Sequence, residues 1–139
     1  IVYANRVREA FSDTPLIIGG LEASLRRFAH YDYWSNQVRR AILFDARADL
    51  LIYGMGEAAT LEIAAQLNAG VPVGDITTVR GTSFAARERE ACVYPWVEVP
   101  SYEEVKADKV AYAKANQVEY EEHDPVRGKA ILQKHGNRW

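Results

Sequence analysis

The 139 residues suffice for one domain with a buried core, and the 48% hydrophobic, 26% charged composition is that of an ordinary globular chain. A net charge of −2 supplies no global basic field for nucleic acid and no acidic tail. A single cysteine, Cys92, excludes an intramolecular disulfide and any cysteine-built metal or iron–sulfur site made by these residues alone. No apolar run approaches the roughly 20 residues needed to span a bilayer, and no secretory signal opens the chain, so a cytoplasmic protein without a membrane partner is expected.

The first residues read as a helix with Tyr3, Val7, Ala10 and Phe11 on one face. A βα unit places a strand before such a helix, and Ile1 opens the chain without one. At the other end "QKHGNRW" stops on Trp139, so part of a longer protein is expected. Pro15 ends the helix by pushing Thr14 out of the α region. Leu16-Ile17-Ile18 is continuously apolar, the pattern of a strand buried on both faces. From Leu21 the period turns helical, with Leu21, Leu25 and Phe28 or Ala29 on one side and Glu22–Arg26 paired at i,i+4; "HYDYWSN" ends this helix. Ser35 or Asn36 suits the cap of a short helix through Val38, Arg39 and Leu43, while "AILF" suits a strand equally. "LLIYG" after Asp49 predicts a second buried strand. "EAATLEIAAQLNAG" predicts a helix with Thr60, Ile63, Ala64 and Leu67 on one face and Gly70 as its stop. This alternation predicts a parallel α/β sheet with helical crossovers.

After Gly70, "VPVGD" is a turn-rich link, and "ITTVRGTSFAAREREACVYPWVEV" reads as extended segments with a hairpin around Arg87–Glu90. Ser101-Tyr102-Glu103-Glu104 is a capping box that opens a long helix to about Tyr120. A turn led by Pro125 and one or two more helical turns complete the chain. The predicted organisation is an α/β half-domain over 1–84, a variable extended segment over 85–100 and a helical segment over 101–139. A sheet cut from its earlier strands leaves the Leu16–Ile18 or Leu50–Tyr53 edge unpaired, which invites self-association.

Two glycine turns are the first candidate sites. Gly19-Gly20 fails G-x-G-x-x-G because Leu21 and Ser24 stand where glycines are required, whereas "GMGEAA" from Gly54 and Gly56 onward satisfies the looser G-x-G-x-x-A. Glu22 and Glu57 occupy the first turns of the two helices and repel a phosphate there, so a structural turn or another ligand is favoured over a dinucleotide. Both glutamates lie at the carboxyl ends of strands, where open α/β sheets bind ligands. Their carboxylates either accept hydrogen bonds from a ligand or neighbouring domain, or simply stabilise the helix starts. The doublets Arg26-Arg27 and Arg39-Arg40 flank "HYDYW", whose His30, Tyr31, Tyr33 and Trp34 can stack on bases. Ion pairs with Glu22, Asp32 and Asp45 around an aromatic cluster are the competing reading. The acidic balance makes RNA contact the lesser alternative. His30, His123 and His135 lack ligand spacing, Ser24 and Ser83 lack a nucleophile elbow, and neither a metal site nor a catalytic constellation is expected.

The stretches "YANRVREAF", "PLIIGGLEASLRRFAHYDYWSNQVRRAILFDARADLLIYGMGE", "ITTVRGTSF", "VPSYEEVKADKVAYAKANQV" and "ILQKHGNRW" closely resemble the N-terminal region of the YgiQ family of radical SAM proteins. The likeness runs through essentially the whole chain and is weakest at about 85–98. It implies a larger parent whose Cys-x-x-x-Cys-x-x-Cys core follows Trp139, with a 4Fe–4S cluster and S-adenosylmethionine belonging to that core and no cofactor to these residues. It also implies a partial Rossmann-like, cobalamin-binding-type three-layer sheet, in which Gly19-Gly20 and Gly54-Met55-Gly56-Glu57 match the two ligand-side turns. The leading expectation is a non-catalytic accessory domain whose glycine turns and His30–Trp34 face the core or its substrate. A cobalamin- or nucleotide-binding module is the alternative.

Overall fold

Proline and glycine punctuation sets the local elements, and pairing between distant segments sets the sheets. The computed structural model describes residues 1–124 and 126–139, so the turn expected at Pro125 lies outside the described residues. The chain divides into two compact units, one of Ile1–Phe28 with Ala41–Ala85 and one of Ala29–Arg40 with Ala86–Trp139.

In the first unit, helix α1 (Val2–Ala10) leads to strand β1 (Ile17–Ile18), then to helix α2 (Leu21–Leu25). Helix α3 (Ile42–Asp45), strand β4 (Leu50–Ile52), helix α4 (Glu57–Asn68) and strand β5 (Thr82–Phe84) follow. Strands β1 and β4 are parallel, Ile17 opposite Leu50 and Ile18 opposite Leu51, as the alternation predicts. Strand β5 runs antiparallel to β4, so the sheet is mixed rather than wholly parallel. The sheet order β1-β4-β5 makes β4 central. Of the two edges expected to be open, the Leu50–Tyr53 edge is therefore paired, its last residue through Tyr53 N–H to the Gly81 carbonyl.

Successive residues of β4 serve different cores. Leu51 joins Ala4, Leu16, Ala23, Ile42, Leu43 and Ala46, whereas Leu50 joins Ala59, Ile63, Ile76 and Val79. Both leucines are essentially inaccessible to solvent, as the period-two alternation of a strand covered on both faces requires. Two predicted helix faces come out differently. On α1 only Ala4 is buried, while Tyr3, Val7 and Phe11 are exposed. On α2 Ala23 is buried, and Leu21 and Leu25 are exposed. Helix α2 also stops at Leu25, short of Phe28, because the Arg26 carbonyl accepts from Ile42 N–H instead of continuing the helix.

The second unit takes Ala29–Arg40 from the stretch between α2 and α3. Strands β2 (His30–Asp32) and β3 (Gln37–Arg39) form an antiparallel hairpin, so the helix expected to start at Ser35 or Asn36 and run through Val38 and Arg39 is a strand there, while "AILF", which suited a strand equally, falls at the start of helix α3. Its turn residue Asn36 has φ 51°, a left-handed conformation that asparagine tolerates. Strand β6 (Trp96–Val99) pairs in parallel with β7 (Ala130–Gln133). The hairpin expected around Arg87–Glu90 does not form, since β5 and β6 belong to different sheets and residues 89–91 make a short 3₁₀ turn. The helical turns expected near the end are replaced by β7, whose parallel pairing with β6 overrides local propensity.

Between β6 and β7 the predicted long helix is two helices, α5 (Tyr102–Ala107) and α6 (Lys109–Glu121). The capping box forms as read, Ser101 Oγ accepting from Glu104 N–H and Glu104 accepting from Ser101 N–H. Asp108 then breaks the helix by capping the next one, accepting from Val110 and Ala111 N–H. The core contains Ala29, Val99, Val105 and Ala115, and the buried Gln133 side chain accepts from Ala29 N–H and donates to the Pro100 carbonyl.

Candidate functional site

The carboxyl ends of β1 and β4 carry the two glycine turns, which the first unit brings together. Ser24 Oγ donates to the Gly20 carbonyl (2.9 Å) and accepts from Gly54 N–H (3.3 Å), so one hydroxyl joins both turns. Thr60 Oγ1 donates to the Gly56 carbonyl (2.7 Å) and fixes the start of α4. A Cβ on Gly56 would lie 2.7 Å from Ile52 Cγ2, so close helix–strand packing demands glycine there.

Gly19, Gly20, Gly54 and Gly56 border one cavity of about 440 Å³. Its remaining wall is aliphatic, with Ile17, Ile18 and Ile52 from the strands and Ile63, Ala64 and Leu67 beside Thr60 on α4. Glu22 and Glu57 stand exposed in the first turns of α2 and α4, outside that lining. Glu22 pairs with Arg26 (3.2 Å). Arg27 donates to the Ser24 carbonyl (2.6 Å) and lies over the rings of Phe28 and Tyr53.

Sequence reading missed the exposed apolar side chains at this end of the sheet: Leu21, Leu25 and Met55. Leu21 and Leu25 sit at helical spacing and read as a core face, and Met55 sits inside a motif read for its glycines. A large apolar side chain between two glycines of a turn is the one signal that pointed outward.

In the second unit the β2–β3 hairpin presents the aromatic segment. Asp32 is 8% exposed, and its Oδ2 accepts from Ser35 Oγ (2.6 Å) and Arg39 Nε (2.8 Å). Tyr31 N–H donates to Tyr112 Oη, and Tyr31 Oη donates to Asn36 Oδ1. His30 is half-buried opposite Arg39. Tyr33 and Trp34 instead stand 76% and 87% exposed at the turn, their rings edge to face at 5.7 Å. The base is pinned and the tip is presented.

The Ser35 hydroxyl, then the Arg39 guanidinium, hold the Asp32 carboxyl below its ordinary value, against the opposing effect of burial. A depressed folded pKa means that the carboxylate stabilises the hairpin fully above the unfolded value and loses this as pH falls through the folded one. The hairpin is therefore expected to loosen in acid below the ordinary Asp range. An NMR titration following the Asn36 and Arg39 amides checks this, and Asp32→Asn should abolish the transition. A transition unchanged in that variant would exclude Asp32 as its source.

Arg26, Arg27 and Arg39 thus have intramolecular partners. Among the described residues no group of three or more His, Cys, Asp or Glu could hold a metal ion. No helix among them is long and apolar enough to cross a membrane.

The profile of the family described as Radical SAM N-terminal matches residues 1–139. A UPF0313 protein of Clostridium botulinum strain 657 is 51% identical over all 139 residues, which are 22% of that relative. A UPF0313 protein of Clostridium perfringens strain 13 is 46% identical over the same span, 21% of its length. The chain therefore spans about a fifth of the length of these relatives. No solved structure matches. With the match running from the first residue to the last, this chain belongs to the radical SAM N-terminal family.

Proposed function

We propose that this chain is a non-catalytic accessory domain of a radical SAM protein, and that it docks the catalytic core or its substrate. In the parent, a 4Fe–4S cluster and S-adenosylmethionine supply the radical chemistry. The residues here do not fit that cluster: three thiolates are needed, and the one cysteine, Cys92, is half-buried with Sγ 3.8 Å from the Tyr94 carbonyl oxygen. No step is assigned to these residues through it. The YgiQ resemblance is the finer form of this reading. The two packed faces of β4 support a partial Rossmann-like arrangement beneath it.

The observation that carries the docking role is the exposed Tyr33–Trp34 pair on a hairpin held rigid by Asp32. Aromatic side chains bury large areas at low entropic cost, and Trp and Tyr dominate the energetics of interfaces. Leu21, Leu25 and Met55 offer a second apolar surface at the ligand-side edge of the first unit. In the full-length protein, hydroxyl-radical footprinting read by mass spectrometry is expected to show Trp34 oxidised several-fold more slowly than in the same protein unfolded in urea. Oxidation of Trp34 at the unfolded rate would reject docking through the hairpin.

A second reading, a module for the nucleotide tail of a corrinoid, is favoured by the cavity between the glycine turns. Titration of the full-length protein with cobalamin tests it through the visible spectrum, and no shift at high micromolar ligand rejects it.

A further inference from the structure

We propose that the open edge of β1 is a docking slot for one further strand of the longer protein, running parallel to β1 and leading into α1. The first observation is main-chain bookkeeping. The Leu16 carbonyl accepts from Asp49 N–H, so alternate residues of β1 turn their polar groups toward β4 and Ile17 turns its own the other way. Among the described residues no strand pairs on that outer side. The outward-turned groups of Ile17 are therefore those of a sheet edge, a ready template for one more strand.

The second observation is the face of α4. Thr60, Ile63, Ala64 and Leu67 recur at the spacing of a core-facing stripe, yet of the four only Ile63 is buried. The other three border the cavity together with Ile17 and Ile18 of β1. Thr60 and Ala64 of that stripe are thus left open beside β1, and the cavity is where side chains of an added strand would pack.

Handedness selects the occupant. Helices α1, α2 and α3 all contribute to the cluster on the Leu51 face, through Ala4, Ala23, Ile42 and Leu43. Crossovers between parallel strands are right-handed, so consecutive crossovers on one face step the sheet in one direction. The connection from β1 to β4 fixes that direction. A strand connected to β1 through α1 must then lie on the side of β1 away from β4, which is the open one. With relatives some five times as long as this chain, the parent has residues to supply it. Usual connection lengths put the strand within about ten residues before α1.

A second copy is a poorer occupant, since edge-to-edge pairing of two such short strands leaves both α4 stripes uncovered. A small ligand in the same space and an added strand exclude one another, and this inference holds whether or not the hairpin tip docks the core.

Disulfide trapping in the full-length protein tests the slot. In a Cys92→Ser background, Ile17→Cys is paired with single cysteines scanned along the residues preceding α1, and the cross-linked peptides are identified by mass spectrometry so that the parent's cluster cysteines are told apart. Intramolecular cross-links at alternate positions are expected. Cross-links only between chains, or none, would overturn the assignment. Residue-resolved hydrogen exchange on the unmodified full-length protein guards against a misfolded variant. The Ile17 amide is expected to exchange as slowly as that of Leu51, and exchange at loop rates overturns the slot. Saturable occupation of the cavity by cobalamin in that protein would overturn it too.

Discussion

Replacing Asp49 with alanine is expected to lower the unfolding free energy of the first unit by about 2–4 kcal/mol, from two charge-assisted hydrogen bonds and a stranded cation. Asp49 Oδ2 accepts from Leu16 N–H (2.7 Å) and from Arg8 Nη2 (2.8 Å), so one carboxylate oxygen ties α1 to the start of both parallel strands. The Arg8 side chain is only 15% exposed, and Asp49 is the carboxylate paired with it. Truncation leaves that guanidinium desolvated and opposite no charge, and leaves the Leu16 N–H without its acceptor. The loss is bounded because Arg8 also donates to the Ser12, Thr14 and Arg47 carbonyls. Urea unfolding measures it. Asp49→Asn, which retains an acceptor for Leu16 but loses the charge, should fall between wild type and alanine. Equal, small losses in both variants would show that the pair is solvent-screened and does not organise the sheet.

Replacing Gly20 with alanine is expected to cost about 1–3 kcal/mol through backbone strain alone. Gly20 has φ 91° and ψ 179°, a region essentially closed to residues with a Cβ. Nothing lies within 4 Å of an added Cβ, so no steric contact confuses the result. Relief of the strain would rotate the start of α2 and break the Ser24 link between the two turns, so Gly54 N–H should lose protection from exchange. Gly74→Ala is the control: it has equally open space and no positive φ, and is expected to be neutral or slightly stabilising. Equal effects at 20 and 74 would refute the strain argument.

The contrast between these two residues explains what was legible beforehand. The turn at Gly19-Gly20, the strand before it, the α4 stop at Gly70 and the Ser101 capping box rest on contacts within a few residues, and each was readable. So was the Arg26–Glu22 pair, which needs only helical spacing. Asp49 was not, because its partners Arg8 and Leu16 lie 41 and 33 residues away. The hairpin at 30–39 was obscured because its burial comes from α5 and α6 residues more than sixty positions on, among them Tyr112. The apolar faces of α1 and α2 were misjudged for a related reason. Periodicity reports that a face is apolar, and it does not say whether the covering surface lies within the same residues.

The resemblance of the motif stretches was thus enough for family membership, and local chemistry was enough for the α/β character and for the parallel pairing of the two apolar strands. It also excluded a thiolate cluster, because counting cysteines needs no coordinates. Three-dimensional pairing settled the rest: β5 reversed against β4, β7 formed in place of a helix, and Asp32 was buried beneath an exposed Tyr33 and Trp34. Strand order and direction depend on backbone hydrogen bonds that any residue can make, so they leave little trace in side-chain pattern. A site assembled from such pairings becomes visible only once the sheet is built.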